Sequence, residues 1–425
     1  MSASWANDLY RFKVEVIYFL MDKEEPKKST SSWLNKNVFG MGLTSFFSDA
    51  SHEMTTAVLP TFLVNLVGNA LAPQLLGIIS GLSDAASSFV KIFSGWLSDR
   101  IKKRKGLMVI GYAATGFFAG FTGFATNWIG ALFYRTFAWM GRGLREPPRD
   151  ALIADSVSPA YYGRAFGFHR AMDTLGAIAA PLIVFFALPS LGVKNIFLIS
   201  FIPGFLAVFV VVLLTKESLR EDGKQQSIGF WKDIASLPKS FHFFLLVMFI
   251  FGIGNFNRTL LLLRTQNILT PVNGLVIAGS FSVLLYAFRN VIQAFTDYAI
   301  GRLSDILDRK ALLAFFGFFV FGLMSLGLAF PISTLWFFVL LFALSGISAA
   351  AYTALEKAYA ADLLPAHLRG TGYGVLQTID GVGDFISSFM VGFLWSAISP
   401  ASGFVYAAVL STGSAVMLFA LRNKK

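Results

Sequence analysis

The stretch Gly95-Trp-Leu-Ser-Asp99-Arg100 has a second copy in the chain, Gly301-Arg-Leu-Ser-Asp305. The glycines and the aspartates of the two copies are each 206 positions apart. In both copies an apolar segment precedes the glycine, and basic residues followed by another apolar segment come after the aspartate. A helix–loop–helix unit repeated at this distance predicts two similar membrane-embedded halves. This organisation is more typical of transporters that change conformation than of enzymes or receptors.

The composition predicts that the solvent of this chain is a lipid bilayer. Hydrophobic residues make up 55% of the 425 residues and charged residues 14%, against about 45–50% and about 25% in soluble domains. A spanning helix takes about 20 apolar residues. We therefore expect an all-α integral membrane protein with about 12 transmembrane helices in two pseudo-symmetric six-helix halves. The predicted divisions are a cytoplasmic N-terminal tail (1–36), an N-terminal half (37–215), a polar cytoplasmic linker (216–238) and a C-terminal half (239–425).

The distribution of charge predicts the orientation in the membrane. The chain carries a net charge of +11, and its lysines and arginines crowd alternate loops, as is typical of loops retained in the cytoplasm rather than of a nucleic-acid site. We expect both termini to be cytoplasmic and the protein to be a multi-pass protein of the cell membrane (the inner membrane if bacterial). No cysteine is present, the four histidines are scattered, and no phosphate-binding Gly-x-x-x-x-Gly-Lys-Ser/Thr loop is found, so we expect no metal, no cofactor and no drive by ATP.

The repeat continues beyond the opening motif. Ala154-Asp155 and Ala361-Asp362 are 207 positions apart, as are Asp173 and Asp380. With these features, nearly the whole chain resembles the major facilitator superfamily, whose loop signature is Gly-x-x-x-Asp-(Arg/Lys)-x-Gly-x-(Arg/Lys)-(Arg/Lys). The resemblance implies the fold of that family and alternating access as its mechanism.

The first copy matches this signature better than the second. Lys102 stands in the first copy where the family has its second glycine, and Asp308 does so in the second copy, where Ile306 also replaces the cation. The resemblance implies a role in gating for the motif, and the alternative is a basic loop that only fixes orientation. The residues predicted to act in gating are Gly95, Asp99, Arg100, Gly301 and Asp305.

The first apolar segment contains the ionisable residues Asp49, His52 and Glu53. A charge at the centre of a membrane helix costs about 2.5–3.5 kcal/mol on insertion scales, so such residues usually face an interior cavity. Asp49 and Glu53 are four residues apart and share one helix face, where two carboxylates repel each other and one is suited to carry a proton. The alternative is a structural anchor, in which both carboxylates are permanently paired with arginines.

Arginines that suit this pairing lie in the fourth and fifth apolar segments. Arg135 and Arg142 lie in a stretch that resembles the fourth-helix arginine motif of the family, and Arg170 precedes Asp173 by three residues. The residues predicted to couple transport to protons are Asp49, Glu53, Arg135, Arg142, Arg170 and Asp173.

Further polar and ionisable residues occur in the predicted helices, most of them in the second half. Amides suit hydrogen bonds to an oxygen-rich or amphiphilic solute, and arginines suit an anionic group. Together they favour a polar cavity between the halves over simple polar contacts between helices. The residues predicted to line it are His52, His169, Asn255, Asn257, Arg258, Arg289, Asn290, Glu356, Lys357, Gln377, Asp380 and Asp384.

These patterns predict a secondary active transporter, a symporter or antiporter, rather than an enzyme. Its expected partners are a small organic solute, protons and the lipid bilayer, and we expect a monomer. Gly176-Ala-Ile-Ala-Ala-Pro181 resembles the beginning of the antiporter motif of the family, which slightly favours efflux of an amphiphilic compound. The alternatives are an importer or exchanger of an organic anion and, from another class, a membrane sensor that has lost transport.

Overall fold

The computed structural model describes residues 33–101, 104–158, 161–217, 236–365 and 369–420. The side chains at positions 96, 99–101, 162–163, 305–306 and 369–371 lie outside this description. Every regular element in the described residues is helical. Most of the predicted tail and of the predicted linker lies outside the described residues, so the division of the chain at 216–238 stays a prediction.

The first half of the described chain begins with a helix of 66 residues that a glycine divides in two. Gly68 has φ of +77°, a left-handed backbone conformation that only glycine adopts readily, and it separates the segments α1a (36–67) and α1b (69–101). Gly192, with φ of +71°, interrupts α4 in the same way. The helices are α1 (Lys36–Ile101), α2 (Arg104–Phe121), α3 (Trp128–Asp155), α4 (Tyr162–Ile199) and α5 (Phe201–Leu214).

The second half contains a helix that is broken near its middle. Helices α6 and α7 are separated by the non-helical residues 253–257, and the side chain of Asn257 caps α7 by accepting a hydrogen bond from the Thr259 amide at 3.0 Å. The helices are α6 (Lys239–Gly252), α7 (Arg258–Asn273), α8 (Leu275–Ile306), α9 (Arg309–Leu312), α10 (Val320–Ala329), α11 (Leu335–Leu363), α12 (Arg369–Ala397) and α13 (Pro400–Ala420). A π-helical stretch, Leu313–Phe319, joins α9 to α10.

Seven helical segments of the described chain are long and apolar enough to cross a membrane. Two of them, Lys36–Gly95 and Arg164–Leu214, contain 60 and 51 residues and include the interrupting glycines, so each has the length of two spans. Large apolar side chains stand exposed on the outside of the bundle, for example Phe89 (75% exposed), Phe186 (76%) and Trp336 (82%). The predicted class of helical membrane protein is confirmed, and the number twelve stays a prediction.

The two ends of the bundle differ in charge. At one end, called here the basic end, the beginnings of α1 and α2 meet the ends of α3 and α5. Asn37 Nδ2 donates to Ser156 Oγ at 3.0 Å, and Glu217 Oε1 accepts from the Arg104 amide at 2.8 Å. The connection between α8 and α9 lies beside the end of α11 in the second half, where Arg309 contacts Asp362. The other end, with Gly68, Gly192 and Gly274, is called the opposite end.

Glycines bring α1b and α12 into close contact toward the opposite end. A Cβ atom added at Gly77 would lie 2.1 Å from the backbone oxygen of Ser388, and one added at Gly392 would lie 2.4 Å from the oxygen of Pro73. Real Cβ contacts are never this short, so the two backbones approach as closely as they do because these positions have no side chain. The halves are therefore tightly packed at this end.

Candidate functional site

The carboxylate of Glu53 is the point where three helices meet at the centre of the molecule. Glu53 is 3% exposed. Its Oε1 accepts a hydrogen bond from Arg258 Nη2 of α7 at 2.7 Å, and its Oε2 accepts one from the Tyr286 hydroxyl of α8 at 2.7 Å. His52 Nε2 lies 3.3 Å from Oε1. One carboxylate of the first half is thus bound by two helices of the second half.

Other polar contacts between the two halves lie at the level of Glu53 or toward the opposite end. The amide of Asn257 donates to Asp84 at 2.7 Å, and Asn290 donates to the backbone oxygen of Ala177 at 2.7 Å. Three more pairs lie closer to the opposite end: Thr61 with Gln266 (2.8 Å), Ser80 with Thr259 (3.0 Å) and Gln74 with Ser396 (3.2 Å). Together with the glycine contacts of α1b and α12, these pairs close the opposite end.

Two neighbouring cavities lie between the halves on the other side of these contacts. The smaller one has a volume of about 240 Å³, and aromatic side chains such as Trp139, Phe256 and Tyr352 contribute to its lining. The larger one, of about 1060 Å³, reaches the basic end at Gly95 and Gly374. Both cavities include Asn255, Arg258, Tyr352 and Asp384 in their linings. The molecule is therefore open toward the basic end and closed at the opposite end.

Most of the predicted cavity residues lie in these linings. Asn255, Asn257, Arg258, Arg289 and Asp384 line the smaller cavity, and Glu356, Lys357, Gln377 and Asp380 line the larger one. Three predicted residues lie elsewhere: Asn290 binds Ala177, His52 contacts Glu53 and the ring of Trp139, and His169 is buried within the first half.

Asp49 shares the neighbour His52 with Glu53 but lies beside a different arginine. Its Oδ1 lies 3.4 Å from His52 Nδ1 and 3.9 Å from Arg145 Nη2. Arg145 is 1% exposed and stacks over the ring of Tyr112 with its Cζ 4.3 Å from the centroid. Asp49 therefore belongs to a buried polar cluster inside the first half, and neither cavity described above is lined by its carboxylate.

The three arginines predicted as partners of these carboxylates have other contacts. Arg135 donates to Thr56 at 3.0 Å and lies 3.4 Å above the ring of Trp139, and Arg142 donates to Glu146 at 2.6 Å. Arg170 lines the larger cavity, while Asp173, three residues later, accepts a hydrogen bond from Ser45. In the part of the chain that the structure describes, the observed cations beside Glu53 and Asp49 are instead Arg258 and Arg145.

Sequence reasoning missed three residues of this site. Asp84 accepts hydrogen bonds from the Trp139 indole at 2.7 Å and from Asn257, so it links α1b to α3 and to the second half. Asp84 lies inside an apolar segment, and the rule that identified Asp49 and Glu53 applies equally to it. Arg145 and Tyr286 gave weaker signals, since an arginine near a helix end and a tyrosine in a membrane helix are both common.

The gating motif has an equivalent ion pair in each half. Arg104, just after the first copy, contacts Asp155 at the end of α3, and Arg309, just after the second copy, donates to Asp362 at the end of α11 at 2.8 Å. The side chains of Asp99, Arg100 and Asp305 lie outside the described residues. Gly95 lines the larger cavity, and a Cβ added at Gly301 would meet nothing within 4 Å.

Comparison with known proteins agrees with this architecture. The model of the Major Facilitator Superfamily matches residues 41–288 and 266–425. The uncharacterized MFS-type transporter MJ1317 of Methanocaldococcus jannaschii is 34% identical over 387 residues, which is 91% of this chain and 94% of that protein. The chain belongs to the Major Facilitator Superfamily, a family of membrane transporters, and the predicted family is confirmed.

Two further similarities are more limited. The multi-drug resistance efflux pump PmrA of Streptococcus pneumoniae is 26% identical over 187 residues, covering 43% of this chain and 46% of the pump. The crystal structure of the nucleoside transporter NupG superposes with a TM-score of 0.76 at 12% identity, over 92% of this chain and 100% of NupG. The second similarity shows the shared fold and nothing about the solute.

Proposed function

We propose that this chain carries a small amphiphilic organic solute across the cell membrane by alternating access, driven by protons and in the direction of export. The proposal depends mainly on one observation. The polar contacts and close glycine packing between the halves lie on one side of the central cavities, and the other side is open. Such a cavity is accessible from the basic end, which the loop charges predict to be cytoplasmic, and alternating access requires the halves to separate at the opposite end in turn. The direction of export is proposed from Gly176-Ala-Ile-Ala-Ala-Pro181, which resembles the beginning of the antiporter motif.

Proton coupling is proposed to act through Glu53. Its negative charge strengthens the hydrogen bonds from Arg258 and Tyr286, because a bond to an ionised acceptor is about twice as strong as a neutral one. A proton on Glu53 removes that charge and weakens both bonds at once. The contact between the halves is thereby loosened, which favours opening of the opposite end.

Four other predicted residues are proposed to assist the protonation of Glu53 without binding its carboxylate. These are Asp49, Arg135, Arg142 and Arg170. Asp49 and Glu53 both lie within 3.4 Å of the ring of His52, which bonds to the Ser48 backbone oxygen through Nδ1. The imidazole therefore lies between the two carboxylates and offers a path for a proton from one to the other.

The proposal is tested with purified protein in proteoliposomes, with ethidium and carboxyfluorescein as the two amphiphilic dyes. An imposed pH gradient should drive one of the dyes against its concentration gradient. Glu53→Gln should abolish gradient-driven transport and preserve equilibrium exchange. Glu217→Gln is the control, because that carboxylate binds backbone amides at the basic end and should not affect coupling. Concentrative transport that persists unchanged in Glu53→Gln contradicts the role of Glu53, and the absence of flux of both dyes contradicts transport of amphiphilic solutes.

Transport of an organic anion is the second candidate, and the partners of three cavity arginines argue against it. Arg142 is bound to Glu146 and Arg258 to Glu53, while Arg289 donates to the side chains of Asn290, Gln293 and Ser345. A bound anion would have to compete with these partners. The carboxyfluorescein arm tests this candidate directly.

A further inference from the structure

A wall of carboxylates faces the cavities from the second half. Glu356 of α11 and Asp380 and Asp384 of α12 line the larger cavity, and Asp384 also lines the smaller one. Asp380 accepts a hydrogen bond from the Tyr352 hydroxyl at 3.0 Å. We call the three residues Glu356, Asp380 and Asp384 the acidic wall.

The acidic wall lacks the partners that buried carboxylates normally have. Glu356 is 4% exposed, and its Oε1 has no hydrogen-bond partner. Among the described residues, the carboxylate of Asp384 makes no salt bridge and no side-chain hydrogen bond, and two other acids, Asp84 and Asp380, line the same cavities. Buried polar groups in proteins are almost always paired, so unpaired acceptors facing a cavity indicate a missing donor.

Cations of the protein do not compensate the wall. Lys91, which lines the larger cavity together with Asp384, is bound to Glu146 with Nζ 2.7 Å from Oε2. Lys357 follows Glu356 on α11 and offsets one of the three carboxylates. When its three carboxyl groups are ionised, the wall carries more negative charge than this lysine offsets, although the chain as a whole carries +11.

We infer that the acidic wall binds the ammonium group of an organic cation, whose apolar part occupies the aromatic smaller cavity. Asp384 connects the two places because it lines both cavities, and Tyr352 does the same. Phe251, Phe256 and Phe321 provide apolar surface in the smaller cavity. An ammonium donates to several acceptors at once, which suits both the unpaired Oε1 of Glu356 and the unpaired carboxylate of Asp384. The inference rests on the proposed function and deepens it, since it states that the transported solute is positively charged.

The test measures binding without transport. Purified protein is titrated with 4-phenylbutylammonium, 4-phenylbutanol and 5-phenylpentanoate, which share one apolar group and differ in charge. Both the thermal shift and the Kd from calorimetry are measured. The cation should bind tightest, although the net charge of +11 would attract the anion non-specifically. Asp384→Asn should weaken the cation roughly tenfold or more and leave the alcohol unchanged.

Three further variants keep the test interpretable. Glu356→Gln should weaken cation binding in the same direction as Asp384→Asn, and Asp384→Glu should preserve it. Asp308→Asn is the matched control, because Asn caps α9 as well as Asp and removes a charge away from the cavities. The unliganded Asp384→Asn protein should melt at the same temperature as the native chain or higher, because the change relieves repulsion from Asp84 and Asp380.

The outcomes separate this inference from the proposed function. The inference is overturned if the three probes bind equally, if the anion binds tighter, or if the cation shows no saturable binding. It is also overturned if the preference for the cation survives both Asp384→Asn and Glu356→Gln. Gradient-driven dye transport in the proteoliposomes would stand in each of those cases. Conversely, specific binding of the cation to a protein that transports neither dye would support the inference and contradict the proposed function.

Discussion

Asp362 accepts a hydrogen bond from Arg309 at 2.8 Å, and the same relationship links Asp155 to Arg104 in the first half. Asp155 and Asp362 are the residues that the sequence repeat places 207 positions apart. The two pairs differ in their environment. The side chains of Arg104 and Asp155 are 6% and 24% exposed, whereas those of Arg309 and Asp362 are 33% and 46% exposed.

This difference predicts unequal effects on stability. Asp155→Asn should lower the free energy of unfolding by about 1–3 kcal/mol, because it weakens a bond to a buried charged group. Asp362→Asn should cost less than about 1 kcal/mol, because solvent screens the exposed pair. Melting temperatures of the two purified variants check this order. Equal losses would show that burial does not separate the two pairs.

The loops that follow the two copies of the gating motif should also differ in their importance for transport, with the first copy again the more important. The first copy has five cations between Arg100 and Lys105, and the second has Arg309 and Lys310 at the end of its loop. We expect Asp99→Asn to slow dye transport more than Asp305→Asn, since the first aspartate lies in the stronger field of positive charge. Initial rates in proteoliposomes at matched protein density measure both. A larger loss of transport rate in Asp305→Asn would contradict the prediction that the first copy of the gating motif matters more.

The glycine contact of α1b with α12 should control the closure of the opposite end. In Gly77→Ala, the new Cβ would meet the Ser388 backbone oxygen at 2.1 Å, so the helices must move apart. We expect a population shift toward the conformation that is open at the opposite end. The chain has no cysteine, so cysteines placed at Gln74 and Ser396 report closure by disulfide formation, which should fall in the variant.

Gly413→Ala is the matched control for this experiment. A Cβ added at that position of α13 meets nothing within 4 Å. The change should leave cross-linking unchanged and raise the melting temperature slightly, because alanine favours the helix over glycine by about 1 kcal/mol. Unaltered cross-linking in Gly77→Ala would mean that this contact does not hold the end closed.

Removing one of the two hydrogen bonds to Glu53 should partly open the opposite end. Tyr286→Phe keeps the ring and removes only the hydroxyl that donates to Oε2. A bond to a charged group is worth about 1.5–3 kcal/mol, so the closed opposite end should lose roughly tenfold or more in relative population. Labelling of a cysteine at Thr61, which is 1% exposed, by an impermeant maleimide measures the opening. Unchanged labelling would contradict a closing role for this bond.

Much of the fold could be predicted from the sequence because lipid imposes simple requirements. Long apolar segments must be helices, since their backbone groups find no other partners in lipid. The predicted membrane-protein class and the family were confirmed for this reason. Breaks inside a segment were harder to predict: residues 253–257 separate α6 from α7 within one predicted segment, and composition does not show such a break.

The site was predicted less completely, for a physical reason. A charge inside a membrane segment can be recognised from its neighbours, so Glu53 and Asp380 were identified. The partner of such a charge depends on how distant helices pack. Arg258 and Tyr286, the partners of Glu53, are 205 and 233 residues away from it in the sequence. The nearer arginines of the first half were the reasonable candidates, but packing placed Arg135 over Trp139 instead.

The convergence of two helices on the single carboxylate of Glu53 has a consequence for stoichiometry. If Arg258 and Tyr286 bound separate acids, releasing both helices would require two protonation events. Because they share one acid, a single proton weakens both bonds, and the two helices respond together. Under the proposed coupling through Glu53, this step therefore needs only one proton, and the transport rate should follow the first power of proton activity below saturation.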